Sequence, residues 1–130
     1  MSKYIGAVGI AVSELETSVA FYTNIVGMVE LQTFELPAVT QVVLGFEGVR
    51  GASVLLMKHK DDTNRNFENS PVKLVFYIPD TAATLEAVRD AGFVVEREAI
   101  EVPSMGNAIV GFAKDPDGYL VEFFQKPPKK

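Results

Sequence analysis

Tyr4 to Val12 alternates in character, with Val8, Ile10 and Val12 on one side and Ala7, Gly9 and Ala11 on the other. This predicts a strand with one packed face and one face of small residues. Ser13-Glu14-Leu15-Glu16 then has the form of a capping box, and Leu15, Val19, Tyr22 and Val26 recur at helical spacing up to Gly27. A helix over about residues 14 to 26 follows from that pattern. Three strands are predicted next, near Met28 to Glu35, Val39 to Phe46 and Ser53 to Lys58, broken by Leu36-Pro37 and by the turn-rich 47–51 stretch. Residues 59–71 turn polar, apart from Phe67, and read as an exposed connector that begins at His59. Beyond it the plan returns. Val72 to Ile78 is a strand, and Asp80 caps a helix whose stripe is Ala82, Leu85 and Val88 and whose end is Gly92. Strands near Phe93 to Ala99, Ala108 to Lys114 and Tyr119 to Gln125 complete the pattern. Asp115-Pro116-Asp117-Gly118 is the turn before the last of them.

The second half repeats the first. Val12, Gly27, Gly45, Phe46 and Gly51 are answered by Ile78, Gly92, Gly111, Phe112 and Gly118, at separations of 66, 65, 66, 66 and 67 residues. A repeat of this length is two copies of one supersecondary unit. The predicted fold is therefore α+β: two tandem βαβββ modules forming a curved mixed sheet around a cavity, with the helices on its outer face. Module 1 covers about residues 1–58, the connector 59–71, module 2 about 72–126 and the tail 127–130. At 130 residues and 48% apolar content the chain suits one domain.

Charge and composition narrow the function. The chain carries a net charge of −5 with its twelve Lys and Arg scattered, so it offers no footprint for nucleic acid. Its longest apolar run, Leu74 to Ile78, is far below the roughly 18 residues of a membrane span, and no signal pattern opens the chain. A cytoplasmic protein is expected. With no cysteine it has no disulfide framework and no thiolate. Lys126, Lys129 and Lys130 around Pro127-Pro128 read as a solvated tail.

Two segments carry a resemblance that spans nearly the whole chain. The run Val12-Ser13-Glu14-Leu15-Glu16-Thr17-Ser18-Val19-Ala20-Phe21-Tyr22, with Ile25-Val26-Gly27-Met28 behind it, and the run Phe112 to Glu122 resemble the vicinal oxygen chelate superfamily. That superfamily holds the glyoxalases, bleomycin-resistance proteins and extradiol dioxygenases. In its metal-using members each unit supplies two ligands, one on its first strand and one on its last. The resemblance places those positions at Ala7, Leu55, Lys73 and Glu122. Alanine and leucine have no lone pair to give and lysine must lose a proton first, whereas a catalytic zinc usually takes three protein ligands. No metal or other cofactor is expected there; a metal would need donors such as Gln41 or Glu35. His59, the one histidine, is expected to be an exposed loop residue.

Every second residue from those positions gives the expected cavity face: Ala7, Gly9, Ala11, Leu55, Met57, Lys73, Val75, Tyr77, Glu122 and Phe124. The opposite face, including Val8, Ile10, Leu56, Phe76 and Phe123, should pack on the helices. A loop over residues 102–107, with Met105 at its lip, is expected to cover the opening. Lys73 and Glu122 should pair, either as a structural salt bridge or as a site that holds a ligand oxygen and moves a proton. Three functions follow: a metal-free protein binding a small apolar or aromatic molecule, a cofactor-independent lyase or isomerase using Lys73 and Glu122 on a carbonyl metabolite, and a metalloenzyme like lactoylglutathione lyase. The last is favoured by the Asp115 to Glu122 motif. A homodimer is expected, as in relatives with a single pair of units.

Overall fold

The computed structural model describes residues 3–49, 51–61, 65–67 and 69–127. Lys129 and Lys130 of the expected tail lie outside them. The chain divides into two compact units, Met1–Arg65 and Asn66–Lys130.

In the first unit, β1 (Ala7–Ala11) leads into α1 (Leu15–Ala20), and β2 (Val29–Glu35), β3 (Val39–Gly45) and β4 (Ser53–His59) follow. The sheet order is β1-β4-β3-β2, with β1 parallel to β4 and the other pairs antiparallel. The helix differs from expectation at both ends. Its N-cap is Glu14, one residue after the expected Ser13. After Ala20 it widens into a π-helical turn over Phe21–Ile25, where the Val26 amide donates to the Phe21 carbonyl at 3.4 Å. Within that turn the Thr23 hydroxyl donates to the Val19 carbonyl at 2.8 Å. Phe21 and Tyr22 are fully buried, edge to face, and Gly27 ends the turn at φ +94°. Ile10, Val54 and Leu56 are buried as expected, but Val8 is 45% exposed because it lies at the start of the parallel edge strand β1.

The second unit repeats this plan with β5 (Lys73–Tyr77), α2 (Thr81–Asp90), β6 (Val95–Val102), β7 (Ala108–Lys114) and β8 (Leu120–Gln125) in the order β5-β8-β7-β6. Asp80 caps α2, its carboxylate accepting from the Ala83 amide at 3.0 Å. Thr81, not Ala82, joins Leu85 and Val88 on the buried stripe, while Ala82 is exposed. The reason is hydrogen bonding. The Thr81 hydroxyl donates to the Ile109 carbonyl at 3.0 Å and its amide donates to the Gln125 side chain at 2.9 Å, which fastens the start of the helix to two strands. β6 runs three residues past the expected Ala99, through Val102, before a 3-10 turn over Pro103–Met105. No helix of the described residues is long and apolar enough to cross a membrane.

At Gly111 helix and sheet leave no room for a side chain. A Cβ built there would lie 2.5 Å from Cδ1 of the buried Leu85, 3.1 Å from the Arg97 carbonyl oxygen and 3.2 Å from the Thr81 methyl. Its counterpart Gly45 also lacks room, but the nearest atom, at 2.7 Å, is the end of the half-exposed Leu31. Gly111→Ala is expected to cost about 1 to 3 kcal/mol in urea unfolding, by overpacking against atoms that cannot withdraw. Gly45→Ala should cost clearly less.

Candidate functional site

The parallel pairing of β5 with β8 sets Val75 opposite Glu122, which puts Lys73 one step away on the same sheet face. Lys73 Nζ donates to Glu122 Oε1 at 2.8 Å. The two ends of this ion pair differ in surroundings: the Glu122 side chain is 5% exposed and that of Lys73 is 48% exposed. Across the antiparallel pairings, Glu122 faces Phe112 and Phe112 faces Arg97. Lys73 Nζ and Arg97 Cζ lie 6.0 and 5.8 Å from the centre of the Phe112 ring.

These four residues form one side of a cavity of about 230 Å³, within the second unit alone. Ile100, Val102, Met105 and Val110 supply its apolar side. The hairpin from β6 to β7 closes tightly at its mouth. Gly106 and Asn107 both take left-handed conformations, at φ +70° and +66°, and the Asn107 amide donates to the Val102 carbonyl at 3.0 Å. The expected 102–107 lid is thus a strand end and a short turn that presents Met105 to the cavity.

The expected site residues fall into three places. Lys73, Met105 and Glu122 meet in this cavity. Tyr77 and Phe124 stack with ring centres 4.8 Å apart and line a second hollow beside Ile78, Pro79 and Lys126. Val75 stands between the two on β5, 45% exposed. Lys126, expected in a frayed tail, lies with its ammonium 5.0 Å from the centre of the Tyr77 ring. In the first unit, register pairs Gly9 with Leu55 and Ala11 with Met57, and Ala7 shares their face. The space above Gly9 is not empty: a Cβ there would meet the Met57 methyl at 3.1 Å. Arg97, Phe112, Ile100 and Val110 were not anticipated, and Val102 only as the start of the covering loop. Ile100 and Val102 lie beyond the residue at which β6 was expected to stop. The pairing of Phe112 with Arg97 depends on a register that shifts on either side of Arg97 in β6.

The donor set does not fit a catalytic metal. Leu55 takes the register place in the first unit that Glu122 takes in the second, and neither Leu55 nor Ala7 has a donor atom. Glu122 is already bonded to an ammonium group. Among the described residues no three His, Asp or Glu gather as a metal would require. Glu35, the reserve donor, is held by the Thr40 hydroxyl and by Lys60 at 3.0 Å; the hydroxyl first and the ammonium second keep its pKa below the ordinary carboxylate value. Gln41 sits mid-strand, paired with Phe34 and Met57. His59 is not the exposed loop residue expected. It ends β4, is half-buried, and its Nδ1 is buried with no hydrogen-bond partner among the described residues.

Comparison with known proteins agrees with the fold. Residues 4–123 match the family model described as Glyoxalase/Bleomycin resistance protein/Dioxygenase superfamily. Lactoylglutathione lyase of Haemophilus influenzae is 32% identical over 123 residues, which cover 92% of this chain and 90% of the relative. The lactoylglutathione lyase of Neisseria meningitidis serogroup A is 33% identical over 118 residues, covering 88% of this chain and 85% of the relative. The crystal structure of glyoxalase I from Zea mays superposes with a TM-score of 0.84 at 25% identity and takes in 98% of this chain. This chain spans 46% of that maize chain.

Removing Lys73 alone strands a buried carboxylate. Lys73→Met is expected to destabilise the protein by about 1 to 3 kcal/mol, toward the lower end because water already reaches Lys73. Adding Glu122→Leu should recover most of the loss, since an apolar pair replaces an ion pair cheaply once both charges are gone. Urea midpoints of the two single variants and the double variant measure both effects.

Proposed function

Because the chain belongs to the Glyoxalase/Bleomycin resistance protein/Dioxygenase superfamily yet carries Ala7, Leu55 and Lys73 where its metal-using members hold ligands, we propose that it binds a small, largely apolar molecule with no metal at those positions. The 2.8 Å bond from Lys73 to Glu122 carries this reading. An ammonium has three protons to donate and this bond uses one, so Lys73 can also hold a ligand oxygen at the cavity mouth. The cavity, at about 230 Å³, is smaller than the roughly 300 Å³ at which drug-sized sites begin, which sets the ligand's scale. Glu122, fixed in place by Lys73, is the group that would take a proton if the bound molecule is also turned over.

The names of the relatives favour a second reading, an enzyme of the lactoylglutathione lyase kind acting with a metal ion. The donors at the four positions oppose it. Metal analysis of the purified chain separates the two: less than one-tenth equivalent of transition metal per chain, with binding of small carbonyl compounds unaffected by a chelator, is the expected result. One equivalent of zinc or nickel, lost together with turnover on chelation, would establish the second reading and end the first. Turnover of those same compounds without metal would assign Lys73 and Glu122 a catalytic role, and it should vanish in Glu122→Gln.

The same proposal includes a homodimer. Leu31 and Phe34, on the edge strand β2, are 52% and 40% exposed, and an unpaired edge carrying apolar side chains favours association. Sedimentation at micromolar concentration should return twice the chain mass; a single monomeric boundary would contradict it.

A further inference from the structure

The two cations of the second-unit cavity are not equivalent. Lys73 is committed to Glu122 at 2.8 Å, whereas the Arg97 guanidinium makes no ion pair with a described residue and rests against the Phe112 ring. The lining therefore carries one more positive than negative charge, Lys73 and Arg97 against Glu122, in a chain whose overall charge is −5. On the far side of Arg97 and Phe112 an adjoining hollow holds Glu96 and Lys114, whose charges offset each other. Further along β6 and on the turn after it, Ile100 and Met105 line the same cavity and are 50% and 48% exposed, an apolar wall without a cover of its own.

We infer that the cavity selects a monoanion, a small carboxylate with a compact apolar body, and that Arg97 grips the carboxylate while Ile100 and Met105 take the body. This rests on the reading that the cavity binds a small molecule, and it adds the ligand's charge and the residue that reads it. Guanidinium suits the task. Its planar fork meets both oxygens of a carboxylate, it stays charged at any working pH, and the Phe112 ring beside it keeps it at the cavity. Glu122 sets the upper limit on charge, since a dianion would leave its second charge beside a buried carboxylate. Met105, unbranched and on a short turn, can settle against either a flat or an aliphatic body.

Benzoate and its neutral isostere benzamide test this on the full chain, by calorimetric titration and by the NMR shifts of the Ile100 and Met105 methyl groups. Benzoate is expected to bind about tenfold or more tighter than benzamide, the value of one charge-assisted contact. Arg97→Ala should bring benzoate down to the benzamide level and leave benzamide unchanged, and Arg97→Lys should restore part of the difference. Circular dichroism checks that both variants are folded, as the exposed position of Arg97 leads us to expect. Equal affinities in the unaltered protein would overturn the inference while leaving the small-molecule reading intact. A benzoate preference that survives in both Arg97 variants would overturn the role given to Arg97. If neither compound shifts the Ile100 or Met105 methyls, the inference falls together with the reading beneath it.

Discussion

A carboxylate with 5% of its side chain exposed has to be answered by a positive charge, and much of the second unit is organised around that need. Glu122 sits on β8, an interior strand, where little of its side chain meets solvent. Parallel pairing brings Lys73 alongside it, and antiparallel pairing lays Phe112 and then Arg97 beyond it. The outcome is a row of charge, ring and charge on the face away from α2. The other face of the same strands carries the buried Phe76, Val121 and Phe123 against α2, with Gln125 at its end bonded to the start of that helix. A sheet so divided has one side for cohesion and one that lines a cavity.

The cohesive side explains why the helices sit where they do. Thr81 bonds to strands at two points and Gly111 removes the one side chain that would hold α2 off the sheet. Neither device touches the cavity, but both keep β7 and β8 in fixed register beneath it. The Asp115 turn does the same at the other end of β8: its carboxylate accepts from the Asp117 and Tyr119 amides, each at 2.9 Å, and so sets where the strand begins. Two residues of slippage there would carry Glu122 away from Lys73.

Much of this was legible in the chain itself, and the limits were physical ones. The resemblance brought Lys73 and Glu122 together, and alternation, with a strand's period fixed at two, gave the residues that share their face. The 66-residue offset made Leu55 the counterpart of Glu122, which the register of β1 with β4 and of β5 with β8 repeats. Arg97 escaped notice because bulges shift β6 against β7, and no local pattern announces a bulge. Ala82 was placed in the helix stripe by apolarity alone, whereas Thr81 won the buried place through its hydroxyl. His59 looked like a loop residue because polar neighbours follow it, but the pairing of β3 with β4 carries the strand one residue further.

The two copies of the βαβββ unit keep the same strand order and the same parallel register, yet at matching places one holds leucine and the other glutamate, one alanine and the other lysine. Backbone pairing is the same in both units whichever side chains stand at these four places. One frame thus carries hydrocarbon in its first copy and a charged pair in its second, so the character of each sheet face can be rewritten by point changes without disturbing the strands beneath.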